Sequence, residues 1–125
     1  MKFHLADTAG LNAITGHGPG HVLVNGVRHD RPLLVGPSLG PLDWEAPGFA
    51  GLQAVHFEAL LGHDPELVLL GTGARLRFPH PAVTRSLAVA RIGIEVMDTP
   101  AACRTYNILT GEGRKVVAAL LFDPA

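Results

Sequence analysis

Three short apolar runs in the second half of the chain, "ELVLLG" (66–71), "IGIEVM" (92–97) and "KVVAALLF" (115–122), constrain the fold most. The first shows no alternation of apolar and polar residues, which suits a strand buried on both faces of a sheet. Between the runs lie two segments with helical signals. Residues 81–91 read as a helix opened by Pro81, with His80 just before it. In the second, Thr99 is expected to cap a helix whose first residue is Pro100, which joins a cap oxygen to a residue without an N–H. That helix is expected to run to about Thr110, with Gly111 in the left-handed position past its end. Strand–helix–strand–helix–strand implies two right-handed crossovers and three parallel strands.

The first half has a different pattern, rich in Gly and Pro and broken into short apolar pieces. Strands are expected near 3–5, 12–16, 21–24 and 27–35, the last interrupted by Pro32 as at an edge or bulge. Asn25-Gly26 is the dipeptide that best tolerates positive φ in a tight hairpin turn. "GPSLGPLDWEAPGFAG" (36–51) reads as a connection that Trp44 anchors to the core, and 54–62 as a short helix. The expected class is α/β: a mixed central sheet with a parallel βαβαβ C-terminal half and an N-terminal antiparallel β portion, layered with helices. The 125 residues fit one domain, 1–125.

Charge and cysteine content exclude several functions. Ten basic residues against eleven acidic ones leave a formal charge of -1, which gives no footprint for nucleic acid or anionic lipid. One cysteine, Cys103, can form neither an internal disulfide nor a thiolate-rich metal site, and a reducing compartment follows. "MKFHLADTAGLNAITG" lacks the apolar stretch of a signal peptide, and no apolar run approaches the ~20 residues of a membrane span. A cytoplasmic protein is expected. The bias to Ala, Gly, Leu and Arg suggests a bacterium with a GC-rich genome.

Four motifs bear on chemistry. "GPSLG" (36–40) matches the nucleophile elbow of hydrolases, but Pro41 prevents the helix that chemistry needs, so Ser38 reads as a turn serine. "HGPGH" spaces His17 and His21 four apart, with His29 and Asp30 across the hairpin. Such spacing converges on a metal only in a helix, which Gly18-Pro19-Gly20 forbids, so no metal is expected. "GTG" (71–73) lacks both the dinucleotide fingerprint and the Walker lysine. It reads as a turn with positive φ beneath a neighbouring element, or as backbone close to a small ligand. Cys103 lies near the start of its helix, where the dipole and Arg104 would lower its pKa. Nucleophilic work also needs a base in reach, and the packing face Ala102, Tyr106, Leu109 borders it, so a buried thiol is expected.

Parallel crossovers would bring Gly71, Thr72, Gly73, Asp98 and Thr99 to one end of the sheet, with Arg75 and Arg77 behind them. Backbone N–H groups, helix N-termini and arginines there would suit a small anion. Glu112 and Arg114 fall at the other end, where an ion pair between them would brace the turn into the last strand.

The second half also resembles a known family. "ELVLLGTG", then "FPHP", then "GIEVMDTPAACRTYNILTGEGRKVVAAL" is similar to a small α/β domain family of bacteria, archaea and eukaryotes. That family includes the third assembly factor of mitochondrial respiratory complex I and an adipogenesis-associated human protein. The likeness is loose over about residues 20–122 and close over 66–120; the combination of GTG, DT-x-AAC-x-TYN-x-L and E-G-R-x-V-x-A-A-L carries it. It implies a compact α/β domain, no established catalysis, no cofactor, and members that act by binding other proteins. The family's motif residues fall here on Gly71, Thr72, Gly73, Asp98, Thr99, Arg104, Asn107, Glu112 and Arg114.

Two functions remain. One is a non-catalytic assembly or regulatory module with another protein as partner, contacted through Arg104, Asn107 and Arg114. The other is a binding protein or enzyme for a small anionic metabolite at the Gly71–Gly73 end, with Asp98 as base and Cys103 as nucleophile.

Overall fold

The computed structural model describes residues 10–123; the strand expected near 3–5 lies outside them. Strands β1 (Ile14–Gly18), β2 (His21–Val24) and β3 (Val27–His29) form an antiparallel sheet of their own. A second, five-stranded sheet contains β4 (Leu33–Gly36), β5 (Leu39–Asp43), β6 (Leu67–Thr72), β7 (Gly93–Met97) and β8 (Val116–Leu121), in the order β5-β4-β8-β6-β7. β6 pairs in parallel with both β7 and β8, and β4 joins β8 antiparallel. The sheet is therefore mixed, with its parallel half built by the C-terminal βαβαβ segment.

β6 and β8 are buried at every residue because both faces of the sheet are covered. Leu67, Leu69, Val116, Ala118 and Leu120 face helix α3 (Thr99–Gly111) and the small sheet. Val68, Leu70, Val117, Ala119 and Leu121 face Trp44, Phe57 and Leu60, with Leu87 of helix α2 (Arg85–Val89). The β6–β7 crossover and the β7–β8 crossover lie on opposite faces and step in opposite directions, the condition for both to share one hand.

The segment 27–35 is not one strand. Pro32 marks the point where the chain leaves the small sheet for the large one, since it has no N–H for a continuous ladder. The connection 36–51 also contains a strand: β5 returns against β4 through the two-residue turn Pro37-Ser38. Trp44 does anchor it, with its indole N–H on the His56 carbonyl at 3.0 Å and its ring edge-on to Phe57 at 5.6 Å. The helix expected over 54–62 is the single turn α1 (Ala54–Glu58) followed by a 3-10 turn, Leu61–His63, that ends at Asp64 with φ 51. That expected over 81–91 is shortened to α2, because residues 80–84 form a turn in which His80 Nδ1 accepts from Ala82 N–H. Asn25 and Gly26 take φ 52 and 82 in the hairpin turn, as their identities require.

α3 differs at both ends from the expected helix. Its N-cap is Asp98, whose carboxylate accepts from Ala101 N–H at 2.8 Å, and Thr99 is the first helical residue. It continues through Gly111, and the left-handed residue is Gly113, φ 81. Arg114 N–H then reaches the Leu109 carbonyl and Gly113 N–H the Thr110 carbonyl, the paired bonds of a Schellman ending.

The small sheet is held to α3 by polar bonds as well as by the core. The Asn107 amide accepts from Ile14 N–H at 3.0 Å and donates to the Ile14 carbonyl at 2.7 Å, acting as one more strand against β1. Tyr106 donates its hydroxyl to the Asn12 carbonyl, and the Asn12 amide in turn donates to the carbonyls of Gly36, Leu39 and Gly40. Helix, small sheet and β4–β5 hairpin thus meet at Asn12. Replacing Asn107 by Ala should destabilise the fold by about 2 kcal/mol in urea unfolding, through loss of two bonds to one backbone residue. Arg104→Ala, on the exposed side of the same helix, should stay within about 0.5 kcal/mol.

Candidate functional site

The carboxyl ends of β6, β7 and β8 bring together Gly71, Thr72, Gly73, Asp98 and Thr99, as the parallel reading requires. Their polar groups are engaged with one another. The Thr99 hydroxyl accepts from Gly73 N–H at 2.8 Å and donates to the Leu121 carbonyl at 2.7 Å, while Thr99 N–H bonds the Gly73 carbonyl. Thr72, fully buried, donates its hydroxyl to the Arg75 carbonyl at 2.7 Å. Ala74 N–H goes to Asp123 Oδ2, and Arg77 bonds Asp123 Oδ1 at 2.9 Å while its guanidinium lies 4.7 Å over the Phe49 ring.

The glycines of "GTG" follow from this crowding. A side chain at Gly71 would stand 2.9 Å from the Thr99 hydroxyl. At Gly73, with φ +96, it would run into the Asp123 carboxylate. The loop is a tight turn clamped beneath its neighbours, and its N–H groups already have acceptors.

Cys103 is buried in the core beside Ala102 and Tyr106. Burial pushes its thiol from 9.0 up to about 12, against the smaller opposite pull of Arg104. Such a thiol carries no thiolate at neutral pH. Burial likewise raises the Tyr106 phenol to about 12.

Arg104 is exposed on the outer side of α3 and Asn107 is engaged with Ile14. Arg114 and Glu112 lie at the opposite end of the sheet. There Arg114 pairs with Glu66 at 3.1 Å, not with Glu112, because Glu66 Oε1 also takes the Lys115 N–H and so stands where the guanidinium arrives. The Lys115 amide, then Arg114, hold the Glu66 carboxyl below its ordinary value. A cleft of about 330 Å³ lies at this end beside Ser38 and Arg114. Ser38 sits exposed in the β4–β5 turn, with no helix behind it.

A larger cleft of about 870 Å³ opens at the carboxyl end of the sheet. Gly73, Ala74, Pro100 and Leu121–Asp123 form one side of it. The other side comes from the small sheet: the His17–His21 turn, Arg28 and the Asp30–Pro32 exit. Sequence reasoning had the histidines but did not join them to this end, and it missed Arg28 and Asp123. The "HGPGH" turn was their only local signal. Among the described residues no three His, Cys, Asp or Glu side chains are grouped to hold a metal ion.

Known proteins share this architecture. The family model described as "Protein of unknown function (DUF498/DUF598)" matches residues 14–121. The NADH dehydrogenase (ubiquinone) 1 alpha subcomplex assembly factor 3 of Bos taurus is 35% identical over 104 residues, covering 82% of this chain and 56% of that protein. The chain thus spans little more than half the length of that relative. An uncharacterised protein of Rhodobacter capsulatus is 36% identical over 116 residues, covering 93% of this chain and 89% of its own. The crystal structure of a protein from Bordetella parapertussis superposes with a TM-score of 0.86 at 40% identity, covering 92% of this chain and 98% of that one.

Thr99→Val should leave the Gly73 N–H and the Leu121 carbonyl buried and unpaired, costing about 3 kcal/mol in chemical denaturation, whereas Thr99→Ser should lose about 1 kcal/mol or less. The raised thiol gives a second expectation. The folded state keeps the Cys103 proton to about 12 while the unfolded chain releases it near 9.0. Its contribution is therefore complete below pH 9 and is lost as pH rises towards 12, by about 1.4 kcal/mol per pH unit. Alkaline denaturation of Cys103→Ala should show a shallower fall, the remaining slope reflecting Tyr106.

Proposed function

Because the chain belongs to the DUF498/DUF598 family of proteins of unknown function, we propose that it is a non-catalytic binding module that acts by holding another protein. The observation that carries this reading is that most of the family motif's polar side chains, Arg104 and Glu112 apart, are engaged in building the scaffold. Thr72, Thr99, Tyr106, Asn107 and Arg114 each bond another element of the fold. Asp98 caps α3, and Cys103 is a protonated core thiol, so neither serves as a base or nucleophile. The relative named above, an assembly factor by name, supports the same reading.

The partner is met on the outer face of α3. Arg104 and Ile108 stand one turn apart there, and Ile108 is 61% exposed. A guanidinium without a carboxylate partner among the described residues, next to an exposed branched apolar side chain, suits a protein surface that offers an acid beside an apolar residue. Of the three contacts suggested by the motif, Arg104 alone faces outward without an internal bond among the described residues. Composition and the single cysteine support a bacterial, cytoplasmic setting for this work. Among the described residues no helix is long and apolar enough to cross a membrane.

Cross-linking and gentle affinity purification from the native host test the reading. One protein should be recovered with the wild type and lost, roughly 10-fold or more, with Arg104→Glu plus Ile108→Asp, while the melting temperature is kept. Recovery unaffected by the double substitution, or turnover of a substrate from a metabolite panel, would sink it.

A further inference from the structure

We propose that the large cleft is a binding site for a small organic monocarboxylate with an apolar body, and that Arg28 recognises its charge. Topology, volume and chemistry point there independently of the α3 outer face. β6 is flanked by β7 and β8, which are reached by crossovers on opposite faces. In open α/β sheets connections part at such a point and leave a crevice beyond the carboxyl ends of the strands, where ligands bind. The floor of the cleft is that place: Gly73 and Ala74 end β6, and Leu121 and Phe122 end β8. Its volume, about 870 Å³, falls within the range of small-molecule sites, roughly 300–1,000 Å³.

The chemistry narrows the ligand. Gly73 N–H, Ala74 N–H, Thr99 N–H and Ala101 N–H all have acceptors within the protein. The backbone donors at the end of β6 and the start of α3 are thereby occupied, and charge recognition there falls to side chains. Arg77 is held by Asp123 and Arg31 lies 3.6 Å from Asp43. Among the described residues Arg28 has no carboxylate partner, and it lines the cleft. Asp30 and Asp123 also line it, so the walls hold no surplus of positive charge for a polyanion. The Arg28 guanidinium is the one at the cleft free of a carboxylate among the described residues, and its planar fork would take a single carboxylate in two parallel bonds. Pro100, Leu121 and Phe122 give the ligand's body an apolar surface. The His21 ring, with Nδ1 3.2 Å from the Pro19 carbonyl, holds the turn at the mouth.

Thermal melts and two-dimensional amide NMR of the full chain with benzoate and octanoate test the site, with inorganic phosphate and benzylamine as controls. A carboxylate at tenfold excess over its Kd should raise the melting temperature by about 5 °C. The resonances that move should be those of Gly18, Gly20, Ala74 and Asp123. Arg28→Ala, an exposed substitution, should keep the melting temperature of the free protein and lose the response. The proposal is overturned if neither carboxylate shifts the melt, if the response survives Arg28→Ala, if the moving resonances lie elsewhere, or if phosphate or benzylamine acts equally. Loss of the protein partner would leave this outcome untouched, and the reverse also holds.

Discussion

Thr99 stands where β6 stops, β8 stops and α3 begins. Its hydroxyl takes the Gly73 N–H and gives its own proton to the Leu121 carbonyl, and its backbone N–H returns to Gly73. Each of those groups is buried, where an unpaired amide or carbonyl costs on the order of 1–3 kcal/mol. Thr99, which pairs them, is itself only 5% exposed. The rest of this end follows from the clamp. Gly71 must lack a side chain because the Thr99 hydroxyl occupies that space, and Gly73 must turn with positive φ to present its N–H. The turn then lays Ala74 against Asp123, which Arg77 secures.

The same economy recurs along α3. Tyr106 and Asn107 reach the small sheet, and the Schellman ending delivers Arg114 to Glu66. Residues that look chemical in a one-dimensional motif turn out to be joints between elements. A joint is intolerant of change for reasons of burial and pairing, so a motif made largely of joints is accounted for by the fold itself. The two binding surfaces proposed above lie outside the joints: the outward face of α3, and the wall that the small sheet contributes to the cleft.

The parallel core was legible because strands covered on both faces have no polar positions to hide, and "ELVLLG" shows it directly. The hairpin turn was legible because Asn25-Gly26 answers a purely local demand. What failed to show was whatever tertiary partners decide. Asp98 and Thr99 are both good caps, and Thr99 is excluded from that role only because Gly73 and Leu121 claim its hydroxyl. Gly111 and Gly113 can both end a helix, and the pairing of Arg114 N–H with the Leu109 carbonyl selects the later one. Arg114 meets Glu66, 48 residues away, instead of its neighbour Glu112. β5 was hidden by Pro41 and Gly40, which an edge strand tolerates. The candidate site was half visible: its floor came from the strand ends, but its other wall depends on how the small sheet packs on α3, which no local period encodes.

α3 touches both surfaces, since Pro100 lines the cleft and Arg104 lies just over one turn further on. Proximity alone does not couple them. A ligand alters partner affinity only when it favours one arrangement of the helix over another. α3 is pinned at its start by Thr99, at its middle by Tyr106 and Asn107, and at its end by the Schellman bonds. Its inner face is packed without exposed atoms at Ala102 and Tyr106, and close-packed interiors have discrete arrangements, not graded ones. Three anchors over 13 residues oppose a second seating of the helix for a ligand to select. If the cleft and the outer face of α3 both bind as proposed, they are expected to act as independent sites whose binding free energies add.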